Sequence, residues 1–112
     1  GFPECDQVLV TEGPTGCAAA LSLNFEAIGR PSCRSAVELT SKLVRGLHAV
    51  IVADADAPGR LGAEALAVVL KCTARSVRII RPPARAKDIR GWLKLGATRA
   101  SVEVLIANAA RL

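Results

Sequence analysis

The chain has 112 residues, a net charge of +5 and an apolar fraction of 51%, enough for one domain with a hydrophobic core. No apolar run approaches the roughly 20 residues that a membrane-spanning helix needs. No basic leader followed by an apolar run marks a signal peptide, so we expect a cytoplasmic domain without a membrane partner.

Strand-like and helix-like segments alternate along the chain. Short β-branched runs predict strands at residues 7–11, 25–28, 49–53 and 76–80. Helices are predicted at residues 14–23, 37–44, 59–72 and 89–95, and in a last segment that Thr98 or Ser101 caps. The third helix carries a single polar stripe and is therefore expected to be well buried. This alternation predicts an α/β fold, a parallel sheet flanked by helices on both faces.

The cysteines and the missing methionine bear on the context of the chain. The spacing of Cys5, Cys17, Cys33 and Cys72 does not fit a zinc knuckle, and we interpret them as buried, reduced thiols. The sequence contains no Met. We therefore interpret residues 1–112 as one domain cut from a longer protein.

Acidic residues follow several of the predicted strands. Glu12 follows the first strand, Asp54 and Asp56 follow the third, and Asp88 comes after the fourth. In open parallel sheets, ligands bind beyond the carboxyl ends of the strands. The two aspartates stand two positions apart, so in extended backbone their side chains share a face. Two adjacent carboxylates repel each other unless a cation lies between them, which favours Mg²⁺.

More modest roles for these acids stay open at this point. Asp56 precedes Pro58-Gly59 and is also typical of a helix N-cap. Glu12 could serve as a general base, a general acid or a metal ligand, or it could simply stabilise the dipole of the following helix.

Basic residues are concentrated in the last third of the chain. Residues 1–74 contain six Lys or Arg and eight Asp or Glu, whereas residues 75–112 contain nine and two. A basic flank suits a polyanion. We therefore predict phosphate contacts from the arginines that flank Asp88, with a merely solvated surface as the alternative: Arg78, Arg81, Arg85 and Arg90.

Two sequence segments together resemble a Toprim domain, the catalytic module of bacterial-type primases, topoisomerases and some nucleases. They are Val8-Leu9-Val10-Thr11-Glu12-Gly13-Pro14 and Val50-Ile51-Val52-Ala53-Asp54-Ala55-Asp56-Ala57-Pro58-Gly59. Ala86-Lys87-Asp88-Ile89 resembles the Gly-Lys-Asp segment of primase-type members. Residues 27–35 look most like phage- and plasmid-type primases or primase–helicases. The resemblance implies a Rossmann-like parallel sheet.

The resemblance also implies roles for individual residues. Glu12 would be the general acid or base and a further metal ligand, Asp54 and Asp56 would hold Mg²⁺ or Mn²⁺, and Asp88 would add to that site. Lys87 would contact a phosphate. Two departures concern acids of primase-type members, because Gly16 and Arg90 occupy positions where those proteins carry carboxylates.

The function that follows from the resemblance is that of a DNA primase core, a nucleotidyltransferase that makes RNA primers in DNA replication. Its partners would be single-stranded DNA, nucleoside triphosphates, and a helicase or zinc-binding module of the parent protein. The alternatives are a metal-dependent nuclease and a non-catalytic module that binds nucleic acid or protein. The absence of any Tyr argues against a topoisomerase, and activity of the isolated domain stays open.

Overall fold

The computed structural model describes residues 7–30, 34–53, 57–83, 86 and 88–112, and leaves out the side chains of residues 12–15, 30, 34–38 and 57–61. Nine elements follow one another along these ranges: β1 (Gln7–Glu12), α1 (Gly13–Ser22), β2 (Ala27–Arg30), α2 (Arg34–Leu43), β3 (His48–Val52), α3 (Ala57–Leu70), β4 (Ser76–Ile80), α4 (Ile89–Lys94) and α5 (Arg99–Asn108). None of the described helices has the length and apolar character to cross a membrane.

The four described strands form one parallel sheet in the order β2-β1-β3-β4. The central strands β1 and β3 pair with Leu9 opposite Val50, and β1 also pairs with β2, with Leu9 opposite Ala27. At the outer edge of β4, the Leu112 amide donates a hydrogen bond of 2.9 Å to the carbonyl of Val77. The predicted α/β class and the parallel pairing are thus confirmed.

Alternate residues of the strands supply two separate hydrophobic clusters, one on each face of the sheet. Val8 and Val10 of β1 point to the cluster that α3 covers, whereas Leu9 points to the cluster of α1, α4 and α5. This division follows from the two-residue period of a strand. Helices therefore cover both faces, as the sequence predicts.

The strand boundaries agree with the sequence-based ones to within one residue, except at β2. Residues 25–28 are the predicted strand, but the observed strand continues to Arg30 because β1 offers paired positions as far as Glu12. Phe25 lies before the strand and is nevertheless buried, within the cluster that contains Leu9. The prediction there identified the apolar segment and placed its strand two residues too early.

Helix α3 is less enclosed than its composition suggests. Its buried side chains form one stripe that includes Leu66 and Leu70, but Val68 is 70% exposed. A helix that packs on one face of a sheet buries one stripe, and an apolar residue outside that stripe faces solvent. Cys72, just beyond the helix, is also exposed, so the prediction of a buried thiol is wrong for it, and Cys17 is half-buried.

Two short helices at the end of the chain have well-defined ends. Thr98 caps α5, and its hydroxyl accepts the amide of Ser101 while the Ser101 hydroxyl accepts the amide of Thr98. Gly96, after α4, has a φ of 100°, a value that side chains rarely allow. The predicted cap and the predicted stop at Gly96 are both confirmed.

Candidate functional site at the carboxyl edge of the sheet

The strand order creates a crevice between β1 and β3. The chain leaves β1 through α1 on one face of the sheet, and leaves β3 through α3 on the other face. Neighbouring parallel strands whose connections depart in opposite ways leave an open crevice at their carboxyl ends, where α/β proteins bind ligands. Glu12 is the last residue of β1, and β3 ends at Val52 on the same edge of the sheet.

The strands that begin the two motif segments are therefore neighbours, and the acidic side chains of both segments lie outside the described side chains. Glu12 is described only by its backbone, which is paired with Arg30. Asp54 and Asp56 lie outside the described residues. The Ala53 amide donates to the Ile80 carbonyl at 2.9 Å, so ladder hydrogen bonds continue to the residue before Asp54.

Asp88 is the one predicted metal ligand whose carboxylate is described. It is half-buried at the N-cap of α4, and its Oδ1 accepts the backbone N–H of Gly91 at 2.7 Å. This bond satisfies one of the free amides of the first helical turn. One carboxylate oxygen thus fixes the orientation of the side chain, and the described residues offer no hydrogen bond to the other.

The packing of Ile89 brings Asp88 toward the end of β1. Ile89 is buried on the cluster that contains α1. A Cβ built on Gly16 would lie 3.5 Å from its Cγ2. Because Gly16 belongs to the helix that starts directly after Glu12, the N-terminal ends of α1 and α4 lie side by side. The structure therefore places Asp88 on the same edge of the sheet as Glu12.

Gly16 occupies a position where primase-type sequences carry an acid, and there is little room for a side chain there. A Cβ at Gly16 would lie 3.1 Å from Cβ of Thr11, which is 1% exposed at the end of β1. That separation is shorter than usual carbon–carbon contacts. The missing carboxylate is therefore accompanied by close packing of the first turn of α1 on β1.

The predicted phosphate-binding arginines differ in their surroundings. Arg78, in the middle of β4, donates from Nε to the Ala109 carbonyl at 3.3 Å and so supports the end of α5. Arg81, just after β4, and Arg90, on α4, are exposed. Arg85 and Lys87 lie outside the described residues. Of the predicted arginines whose side chains are described, Arg81 and Arg90 are therefore the exposed ones.

The donor chemistry suits a hard divalent cation, although the described side chains include no group of three or more His, Cys, Asp or Glu residues arranged to hold one. Three of the four proposed ligands are outside the described side chains. Asp88 provides an oriented carboxylate at the correct edge, and oxygen ligands are those that Mg²⁺ prefers.

Two residues of this region, Thr11 and Gly91, are not predicted from the sequence. Thr11 looks like an ordinary strand residue, and its closeness to Gly16 appears only when the helix is packed on the sheet. Gly91 could have been noticed, because a glycine inside a short helical segment usually has a packing reason. It stands three positions after Asp88, the spacing at which an N-cap side chain accepts a backbone amide.

Comparison with known proteins supports the fold through similarity of structure and not of sequence. No protein-family model matches the chain, and no curated protein matches it in sequence. Among solved structures, the Aquifex aeolicus primase (zinc-binding and RNA polymerase domains) superposes with a TM-score of 0.77 and 18% identity, over 98% of this chain and 27% of that chain.

Two further structures are also similar. A small TOPRIM domain protein from Bacillus stearothermophilus gives a TM-score of 0.59 at 15% identity, over 96% of this chain and 89% of that one. The RNA polymerase domain of Mycobacterium tuberculosis primase DnaG gives 0.63 at 18%, over 96% of this chain and 37% of that one. The chain thus spans only 27% and 37% of the two primase structures, and its fold is the one that these Toprim and primase domains share.

Proposed function

We propose that this chain is the Mg²⁺-dependent nucleotidyl-transfer core of a DNA primase, which extends RNA primers on single-stranded DNA. The observation that carries the proposal is the pairing of β1 with β3, because the strand that ends at Glu12 is thereby the neighbour of the strand that precedes Asp54 and Asp56 in the sequence. The likeness to two primase structures supports the same activity.

In this proposal, the acidic residues at the crevice have two roles, metal binding and proton transfer. Asp54, Asp56 and Asp88 hold Mg²⁺ or Mn²⁺, which when bound neutralises charge on the triphosphate. Glu12 would act either as a further metal ligand or as the general base that accepts the proton of the attacking 3′-hydroxyl, while the α–β phosphoanhydride bond breaks and pyrophosphate leaves. Asp88 is suited to its part because the Gly91 amide already fixes its carboxylate.

The cationic residues near the crevice have a separate role. Arg81 and Arg90 are exposed and are proposed to contact phosphates of the template or the nucleotide. Lys87, Arg85 and Arg78 are proposed to contribute to the same surface, with Arg78 also held by its bond to Ala109. Phosphate contacts of this kind position a strand without reading its sequence.

Primer synthesis needs partners beyond this chain. We propose that single-stranded DNA and nucleoside triphosphates are the substrates, and that a zinc-binding module or a helicase acts with the domain in the cytoplasm. The support is that the Aquifex aeolicus primase structure contains zinc-binding and RNA polymerase domains and that this chain spans 27% of it.

The test is template-directed incorporation of nucleoside triphosphates by the intact protein that carries this chain. Glu12→Gln should abolish incorporation because the amide cannot accept the proton. Glu26→Gln is the matched control, since Glu26 is exposed before β2, at the opposite edge of the sheet. Equal activity of the Glu12 variant and the wild type would overturn the proposed role.

A second measurement tests Mg²⁺ binding separately from catalysis. Titration of the chain with Mg²⁺, followed by NMR, should shift the amide signals of Glu12, Asp54, Asp56 and Asp88 and leave that of Glu26 unchanged. A titration that moves none of these signals would contradict the metal site.

A non-catalytic nucleic-acid-binding module is the second candidate, and one observation favours it. Gly16 is packed against Thr11 and Arg90 is exposed on α4, so at both positions a residue without a carboxylate stands where the primase pattern has an acid. Binding of single-stranded DNA without Mg²⁺ dependence and without incorporation would support this alternative.

A further inference from the structure

Gly91 lies closer to the backbone of the preceding loop than any side chain would permit. A Cβ built on Gly91 would be 2.1 Å from the carbonyl oxygen of Ala86 and 3.2 Å from Oδ1 of Asp88. A distance of 2.1 Å between non-bonded heavy atoms is far inside van der Waals contact. Among the described glycines a positive φ occurs at Gly46 and Gly96, so Gly91 is required for space and not for its backbone angle.

The Ala86 carbonyl is an anchor for the segment that leads to Asp88. The Asp88 amide donates to this carbonyl at 2.7 Å, and the Ala86 amide in turn donates to Pro83 at 2.8 Å. Ala86 is itself buried. Ala86 and Asp88 can therefore keep their positions against the first turn of α4 only if residue 91 leaves space for the Ala86 carbonyl.

Gly91 also donates the hydrogen bond that orients the Asp88 carboxylate. Its amide bonds to Oδ1 at 2.7 Å, while Ile89 anchors the same turn in the core beside α1. Position 91 thus acts on Asp88 in two ways, through the amide that it donates and through the volume that it leaves empty. A methyl group there would displace the Ala86 carbonyl, and the Asp88 backbone that is bonded to it.

We propose that Gly91 is a positioning residue, which fixes the Asp88 carboxylate at the carboxyl edge of the sheet so that it can serve the metal site. The inference rests on the proposed function, since it concerns a ligand of that site. It assigns to Gly91 no contact with substrate or ion; the residue acts through Asp88 alone.

Gly91→Ala is the informative variant, and Gly96→Ala is its matched control. Gly96 follows the same helix and has a positive φ, but a Cβ there would meet nothing within 4 Å. Both variants are therefore expected to lower the thermal stability of the chain, whereas only the first alters the Asp88 segment. A purely structural role for Gly91 predicts that the two variants bind metal alike.

The measurement is the affinity of the whole chain for Mn²⁺, followed by paramagnetic broadening of the amide signals at the carboxyl edge. We expect Gly91→Ala to weaken binding by about tenfold, as loss of one well-placed ligand orienter does, and Gly96→Ala to leave it unchanged. In an Asp88→Asn background, Gly91→Ala should have little further effect, because both changes remove the same ligand.

The outcomes separate this inference from the proposed function. If the wild type binds no Mn²⁺, the metal site and the inference both fail. If the wild type binds Mn²⁺ and the Gly91→Ala variant binds it equally well, only the inference fails. The inference also fails alone if Gly91→Ala lowers the affinity as much in the Asp88→Asn background as in the wild type. Should Gly91→Ala not fold, Mg²⁺ titration of the wild type decides, since the Gly91 amide signal must then shift while that of Gly96 does not.

Discussion

Gly16 of α1 lies directly against Thr11 of β1. A Cβ on Gly16 would lie only 3.1 Å from the Cβ of Thr11. Thr11 is buried within the sheet and cannot easily move away. The contact therefore fixes the angle at which α1 leaves the strand that ends in Glu12. It links the packing of a helix to the geometry of the candidate site.

Gly16→Ala tests how rigid this contact is. In a helix interior, alanine is favoured over glycine by about 1 kcal/mol, but overpacking a buried contact costs about 1–3 kcal/mol. We expect net destabilisation by about 1 kcal/mol, measured by urea unfolding. Ala18→Gly, at an exposed position of the same helix, measures the difference in helix propensity alone. If Gly16→Ala raised the free energy of unfolding by as much as Ala18→Gly lowers it, Thr11 would have moved to make room for the added methyl group.

Substitutions of Asp88 separate its capping role from its proposed role as a ligand. Asp88→Ala should lower the free energy of unfolding by about 1 kcal/mol, the usual value of an N-cap, whereas Asp88→Asn should keep most of the stability. Both variants should weaken Mg²⁺ binding, because neither supplies a carboxylate. Denaturant unfolding and Mg²⁺ titration on the same samples give the two results, and undiminished Mg²⁺ binding by Asp88→Asn would restrict Asp88 to capping.

Truncation of a buried side chain of α3 should lower the free energy of unfolding far more than truncation of an exposed leucine. Leu70 is 0% exposed and Leu39 is 57% exposed, and both belong to helices. Leu70→Ala should cost about 2–5 kcal/mol because it leaves a cavity. Leu39→Ala should cost well under 1 kcal/mol. Chemical unfolding measures both, and similar losses would mean that α3 packs less tightly than observed.

The exposed arginines near the crevice should contribute to binding of single-stranded DNA. Arg81→Ala and Arg90→Ala should each weaken binding and lower the slope of log affinity against log salt by about 0.7, the value for one phosphate contact on a single strand. Arg45→Ala is the control, since Arg45 is exposed in the turn before β3 at the opposite edge. Fluorescence anisotropy at several salt concentrations gives the slopes, and identical slopes for all three variants would exclude a specific surface at the crevice.

The capping box of α5 should act as a unit. Thr98→Ala should destabilise the domain by about 1 kcal/mol, and Ser101→Ala should cost less once Thr98 has been replaced. The reason is that each hydroxyl accepts the backbone amide of the other residue. Thermal unfolding of the two single variants and the double variant measures the coupling; strictly additive losses would contradict it.

The sequence was sufficient to predict the class of fold because apolar runs such as that of β3 are short, β-branched and bounded by turn residues. It was also sufficient to predict, within one residue, where β1 and β3 end. The spacing could not reveal that Ile89 packs on α1, because this contact joins distant segments through the core. The close approaches at Gly16 and Gly91 likewise depend on how helices settle on their neighbours, and a local pattern contains no such distances.

The hydrogen bond from Leu112 to Val77 bears on how the domain behaves at high concentration. Unpaired backbone groups at the rim of a sheet are templates on which a foreign strand can add, and proteins commonly shield them. Here the last residues of the chain occupy part of that rim themselves. Leu112 therefore occupies one backbone acceptor of β4 that an added strand would otherwise use.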